Sequence, residues 1–210
     1  FPLLYQHVTG RPVPRGCLFT SVTTTGDLTR KRDRAIVFEV YDRLSTAATP
    51  LVVAVAFSFD SEELTPSEKE QMVVASKGAM HFLPRRHVEC YLINPAAILS
   101  LIKQKDADGS AELEVSMVER MLIRLAEEPP LRIKEWSGSL EDPTWLSRVD
   151  AARLIAKACS ELTEARATFN KKADTFALLQ YVMQHRPELV TDLGKYVEQL
   201  VEEVTKARGR

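Results

Sequence analysis

The sequence predicts an α/β fold in which a parallel sheet flanked by helices is followed by a helical extension. Two observations carry this expectation. Up to about residue 105, short apolar runs alternate with segments of helical periodicity, the succession that builds parallel sheets. Beyond it, apolar residues recur at helical spacing almost without interruption. The expected organisation is an α/β region over 1–105 and a helical region over 106–210 packed on it.

The first strand candidate is 17–22, ended by the polar turn Thr23, Thr24, Thr25 and Gly26. Ile36, Val37, Val40 and Leu44 then recur at helical spacing and predict a helix over 28–44. The apolar run 50–59 reads as a buried strand, having about half the length that a membrane-spanning helix requires. Thr65, Pro66 and Glu68 follow in the order cap, first-turn proline and capping-box partner, which predicts a helix over 66–77 closed by Gly78. Residues 80–83 make a third short strand before Pro84, and Asn94 with Pro95 opens a helix through about residue 103. Past a polar link at 106–109, Leu113, Met117, Met121 and Leu125 share a helical face that ends before Pro129 and Pro130. A long loop carries Trp136 and Trp145, at least one of them expected in the core. Ser147 and Asp150 give a second start signal, after which Ala152, Ile155, Cys159 and Leu162 share a face. Two last helices are expected over 173–185 and 187–206.

With 28 basic and 29 acidic side chains in 210 residues the net charge is −1, so phosphate binding must come from a local cluster and not from bulk attraction. A hydrophobic content of 45% excludes global disorder, and a chain of this length buries a core without disulfides or metals. Cys17, Cys90 and Cys159, odd in number and far apart, read as reduced thiols of a cytoplasmic protein. Neither a secretory signal nor a membrane-spanning segment is expected. The first residue is Phe1, which suggests a piece of a longer protein. No Walker A loop, G-x-G-x-x-G, G-x-S-x-G or C-x-x-C occurs, so nucleotide hydrolysis, dinucleotide chemistry, serine hydrolysis and zinc ribbons lose their usual sequence support.

Asp60, Ser61, Glu62 and Glu63 leave the end of an apolar strand, the place where ligands gather in α/β sheets. Carboxylates there suit Mg²⁺, which takes carboxylate, water and phosphate oxygens. The alternative is a solvated acidic turn that favours the dipole of the next helix. A second cluster, Pro84 to Leu92, sets Arg85, Arg86, His87 and Glu89 against an apolar edge. Its arginines suit phosphate and Glu89 suits a metal, unless Glu89 is the ion-pair partner of a neighbouring Arg. His81, between apolar neighbours, reads as a core or edge histidine, and Asp106-x-Asp108-Gly109 places its glycine too early for a calcium loop. Arg30, Lys31, Arg32 and Arg34, and again Lys171 and Lys172, are either nucleic-acid backbone contacts or solvated helix ends. The aromatic interleaving of a single-strand-binding surface is missing.

The stretch Leu83-Pro84-Arg85-Arg86-His87-Val88-Glu89-Cys90-Tyr91-Leu92, followed by Asn94-Pro95-Ala96-Ala97-Ile98, resembles the segment "LPRREIENYLLxPEAI" of Toprim domains. Those domains lie on the C-terminal side of AAA-type, ABC-like ATPases of the overcoming-lysogenization-defect group and its relatives. Similarity extends from about residue 20 to residue 200, through the strand with its acidic end, the Trp-containing loop, the S-R-V-D-A-A-R-L-I helix, the Asn-Lys-Lys segment and the final R-P-E-L helix. The arginine-glutamate segment is its specific part.

This resemblance implies a Toprim fold, a Rossmann-like parallel sheet flanked by helices, with a helical C-terminal extension. It also implies an ATPase domain in the same parent chain, service in defence against phage, and metal-dependent cleavage of DNA or RNA. In such domains two Mg²⁺ or Mn²⁺ ions activate water and stabilise the leaving oxygen. Residue by residue, Asp60 matches the second aspartate of the family's Asp-x-Asp motif and is an expected metal ligand. Glu62 or Glu63 substitutes for the other aspartate if the turn bends back. Glu89 matches the glutamate of "IENYL", and Lys171 or Lys172 matches a late lysine that neutralises charge at the phosphate. Arg85 and Arg86 are expected on backbone phosphates or as supports for Glu89.

Two positions depart from the family pattern. Ser58 stands where the first aspartate would be, and the family's E-G glutamate has no match. Either the first strand lies upstream in a longer parent, or the domain is degenerate and engages nucleic acid or a protein without cutting. A third reading is a homo-oligomer formed through the two amphipathic C-terminal helices.

Overall fold

Phe57–Phe59 and Met80–Phe82 pair as parallel strands, with Phe57 opposite Met80, Ser58 opposite His81 and Phe59 opposite Phe82. The computed structural model describes residues 1–20, 39, 54–61 and 64–207. In chain order its elements are α1 (Pro2–Thr9), β1 (Phe57–Phe59), α2 (Pro66–Ala75), β2 (Met80–Phe82), α3 (Pro95–Lys105), α4 (Val115–Ala126), α5 (Pro143–Leu146), α6 (Ala151–Leu162), α7 (Lys171–His185) and α8 (Thr191–Ala207), with 3-10 turns at Val88–Tyr91 and Pro187–Val190. The protein is thus mixed α/β, mostly helical with a small parallel sheet. Two compact units form, Phe1–Pro84 with Thr191–Arg210, and Arg85–Val190.

In the first unit, β1, α2 and β2 form the expected strand-helix-strand sequence. Thr65 caps α2 by accepting from the Glu68 amide at 3.3 Å, while Glu68 accepts from the Thr65 amide at 2.9 Å. Two otherwise orphaned donors are satisfied reciprocally, with Pro66 at a position that needs no N–H. Past the helix, Gly78 takes φ +83°, a left-handed conformation that glycine adopts without steric penalty. Because side chains alternate across a strand, Phe59, Met80 and Phe82 join Leu64 and Met72 in one apolar cluster, while Ser58 and His81 face the other way. That second face meets α8: Tyr196 donates to the Ser58 hydroxyl at 2.8 Å, and Glu203, two helical turns on, lies 3.2 Å from His81 Nε2. His81 is therefore a partnered histidine at the sheet.

α8 also packs on α1, and Gly194 sets how closely. A Cβ at Gly194 would stand 2.1 Å from Val8 Cγ2. Gly194→Ala is expected to destabilise the chain by ~1–3 kcal/mol through overpacking, overriding alanine's better helix propensity. The double variant with Val8→Ala should recover most of that loss in urea unfolding. If the single variant is as stable as the parent, the close approach is not real.

The strand expected over 17–22 is not formed at the residues described. Residues 17–20 are irregular, the Cys17 amide bonds back to the Pro14 carbonyl in a turn, and Leu18 is 88% exposed. The helix expected over 28–44 lies outside the described residues except for Glu39, and 50–53 of the apolar run lie outside them too.

In the second unit α4 packs against α3 and α6, α3 against α7, and the turn Val88–Tyr91 against α6. Three caps start these helices: Asn94 as expected, Asp150 where the start signal ran from Ser147 to Asp150, and Asn170, which the sequence did not offer as a cap. Asn94 accepts from the Ala97 amide at 2.9 Å, Asp150 from the Arg153 amide at 3.0 Å, and Asn170 from the Lys172 amide at 3.0 Å. Ile98, Ile102, Val118, Leu122, Leu125, Leu154 and Ile155 are fully buried between them. α4 begins five residues later than the 110 onset expected, because Asp106 folds the chain into a turn by accepting from the Gly109 amide at 3.2 Å. Trp145 is fully buried and stacks on Trp136 with ring centroids 5.3 Å apart. Among the described residues no helix is long and apolar enough to cross a membrane, and Cys17, Cys90 and Cys159 are free thiols.

Candidate functional site

The arginine-glutamate segment runs through bends at residues 84–87 and tightens after His87 into the 3-10 turn Val88–Tyr91. The Cys90 amide bonds to the His87 carbonyl at 3.1 Å and the Leu92 amide to the Glu89 carbonyl at 2.9 Å. This turn seals Glu89, His87 and Cys90 inside the protein, Glu89 being only 1% exposed. A carboxylate taken so far from water needs partners.

Its partners come from two directions. Glu89 Oε2 lies 3.0 Å from His87 Nδ1 and 3.3 Å from Lys171 Nζ. Both are charge contacts, since neither has hydrogen-bond alignment. Glu89 Oε1 accepts from the Thr175 hydroxyl at 3.0 Å. Lys171 and Thr175 are four residues apart on α7 and so share a face. On its other side His87 approaches Asp150 with Nε2 to Oδ1 at 3.8 Å, an ion contact longer than a hydrogen bond. The Cys90 thiol donates to the Val149 carbonyl at 3.4 Å and lies 3.7 Å from His87 Nδ1. Three elements, the 3-10 turn and the first turns of α6 and α7, are joined by one alternating chain of charges.

The electrostatics follow this geometry. Burial alone would push His87 down, but Asp150, Cys90 and Glu89 outweigh it and raise the imidazole to about 11. For Glu89 burial pushes upward, yet the His87 contact and the Lys171 charge hold the carboxyl at about 2. Asp150 also falls to about 2, chiefly through His87, with help from the Arg153 amide and the nearby Arg86 guanidinium. At neutral pH the cluster is a fully ionised Lys⁺, Glu⁻, His⁺, Asp⁻ row.

The anchoring of α7 adds to this. Asp174, 6% exposed, accepts from the Asn170 amide at 2.6 Å and pairs with Lys105, whose ammonium also donates to the Thr168 carbonyl at 2.8 Å. These bonds fix the helix start that carries Lys171.

Of the residues expected at a site, the structure brings Glu89 and Lys171 together. Lys172 is exposed beside Lys171. Arg85 is half-buried and turned inward, its Nη1 donating to the Cys90 carbonyl at 2.8 Å and its guanidinium lying 4.2 Å above the Tyr91 ring. Arg86 donates to the Arg148 carbonyl at 3.2 Å. Both arginines thus support the turn that holds Glu89. The ion-pair partners of Glu89 are His87 and Lys171 and not a neighbouring arginine. Asp60 follows β1 in the first unit, half-buried, while Glu62 and Glu63 lie outside the described residues.

Mg²⁺ or Mn²⁺ does not fit the residues around Glu89. One carboxylate oxygen is engaged by a hydroxyl and the other faces two cationic groups, which would repel a divalent ion. Among the described residues no group of three or more His, Cys, Asp and Glu side chains is placed to hold a metal. Thr175 was not singled out by the sequence, Asp150 was read only as part of a helix start, and His87 was named in the cluster without a role. The only signals available were the i, i+4 spacing of Thr175 from Lys171 and the position of His87 at the mouth of a turn. No family model, curated protein or solved structure matches this chain.

Proposed function

We propose that this chain is a degenerate, non-catalytic Toprim-type domain of an ATPase-linked protein, one that holds nucleic acid without cutting it. The observation that carries this reading is the internal engagement of both Glu89 oxygens. Ser58 supports it, since its hydroxyl is held by Tyr196 at the position where the family pattern has an aspartate. Lys172 and Arg153 are exposed in the first turns of the two helices that the charge row joins, and would meet backbone phosphates there. A role in phage defence belongs to the same reading through the sequence resemblance, and a cytoplasmic setting through the three dispersed cysteines.

A second reading, metal-dependent phosphodiester cleavage, is favoured by one contact, the 3.3 Å approach of Lys171 to Glu89, because the resemblance assigns both residues to the catalytic centre. It would draw its metal ligands from Asp60, Glu62 and Glu63. One experiment separates the two. Labelled DNA and RNA are incubated with the chain in Mg²⁺ or Mn²⁺, and binding is followed in parallel by fluorescence anisotropy. The expected result is salt-sensitive binding, weakened several-fold by Lys172→Ala with Arg153→Ala, and no cleavage. Cleavage that disappears in Asp60→Ala would establish the nuclease reading instead.

A further inference from the structure

We propose that Glu89 draws its counter-charge from inside the chain: Lys171 and His87 occupy the side of the carboxylate that a divalent cation would need, so this part of the fold is fastened without metal. The inference rests on the account of Glu89 given above and extends it from what the site does not do to what it is built to do.

Mg²⁺ requires oxygen ligands at about 2.0–2.1 Å in octahedral array and keeps several waters. Glu89 is 1% exposed, which leaves no room for that water shell. Nitrogen atoms stand 3.0 and 3.3 Å from Oε2, and a hydroxyl 3.0 Å from Oε1. A metal bound to Oε2 would have to displace Lys171 and stay against His87. Conversely, the two nitrogens together bring the same formal charge as one divalent ion. They also do something an ion could not, because each belongs to a different stretch of chain. His87 begins the turn that carries Glu89, while Lys171 opens α7, whose Thr175 bonds to Glu89 across 86 residues of sequence. The carboxylate is the point where these segments are tied.

If Lys171 stands in for a metal, removing it should create a demand for one. Lys171 is half exposed, so its truncation leaves no cavity. The experiment follows thermal unfolding and Mn²⁺ binding by electron paramagnetic resonance on the whole chain, in chelator and in Mn²⁺. Wild type is expected to melt at the same temperature in both and to show no Mn²⁺ signal that depends on Glu89. Lys171→Ala should melt lower by at least roughly 3 °C in chelator, to recover part of that in Mn²⁺, and to bind Mn²⁺ in a mode missing from wild type and from Lys171→Ala with Glu89→Gln. The proposal is overturned by a wild-type Mn²⁺ site lost in Glu89→Gln, by an unchanged melting temperature in Lys171→Ala, or by failure of that variant to gain the new mode. Cleavage dependent on Asp60 would defeat the non-catalytic reading and leave this result untouched, so the two fail separately.

Discussion

Replacing His87 with glutamine is expected to destabilise the chain by ~3–5 kcal/mol and to change the shape of its pH dependence. The magnitude is that of breaking a buried ion pair from one side, which leaves Glu89 with less than its full counter-charge in a place closed to water. The pH effect has a definite sign. His87 is raised from its ordinary value near 6.5 to about 11, so its contribution is complete below 6.5 and declines as pH climbs toward 11. Glu89 and Asp150 are lowered to about 2, so theirs is complete above the ordinary carboxylate range and is lost as pH falls toward 2. Wild type should therefore be most stable between about pH 4.5 and 6.5, with a decline above that range approaching ~1.4 kcal/mol per pH unit at its steepest. His87→Gln should flatten the alkaline decline and weaken the acid one as well, because His87 is the chief influence that lowers both carboxylates. Urea unfolding at intervals from pH 3 to 10 reads both limbs; a decline above pH 6.5 that survives in the variant would show that another group carries it.

Trp145→Ala should destabilise by a similar ~3–5 kcal/mol, the range for removing a large buried aromatic. Trp145 is fully buried, stacks on Trp136 at 5.3 Å and lies in a short helix whose cap, Asp142, accepts from the Thr144 amide at 2.9 Å. Yet its indole N–H is buried with no hydrogen-bond partner. An unpaired buried donor carries a penalty of ~1–3 kcal/mol, and a phenylalanine would shed it while keeping most of the stacking. Trp145→Phe is thus expected to cost far less than Trp145→Ala. Trp136 is the other of the two tryptophans, so its fluorescence reports unfolding in both variants. Equal losses for the two would mean that the indole N–H is satisfied after all, by a water for instance.

Local chemistry was well legible in the sequence, and long-range pairing was not. Thr65 with Glu68, Asn94 and Asp150 were each readable as helix starts because a cap involves residues two or three apart. The strand-helix-strand order over β1, α2 and β2 was readable for the same reason: apolar periodicity is a property of short windows. The short helix Pro143–Leu146 was hidden inside what reads as a loop, although Asp142 and Pro143 make an ordinary start signal. α7 begins at Lys171, two residues before the expected onset, since Asn170 caps it and the lysines add no apolar periodicity of their own. The resemblance named Glu89 and Lys171, and they do meet. What no window could reveal is that Asp150, read as part of a helix start, would also sit beside His87, or that Thr175 would close the carboxylate. Such contacts depend on how α6 and α7 pack, and nothing in residues 84–92 encodes where those helices come to lie.

The face of the small sheet that carries Ser58 and His81 is covered by α8, the last helix in the described chain. That placement has a consequence for biosynthesis. A chain emerging from the ribosome holds everything the second unit needs once residue 190 is out, whereas α8 has still to appear. The first unit, though begun earlier, must wait for Tyr196 and Glu203. Until then Ser58 and His81 lie uncovered and α1 lacks the helix it packs on. A chain cut between residues 190 and 196 would thus keep every residue of the second unit and leave the Ser58 and His81 face of the first without the helix that covers it.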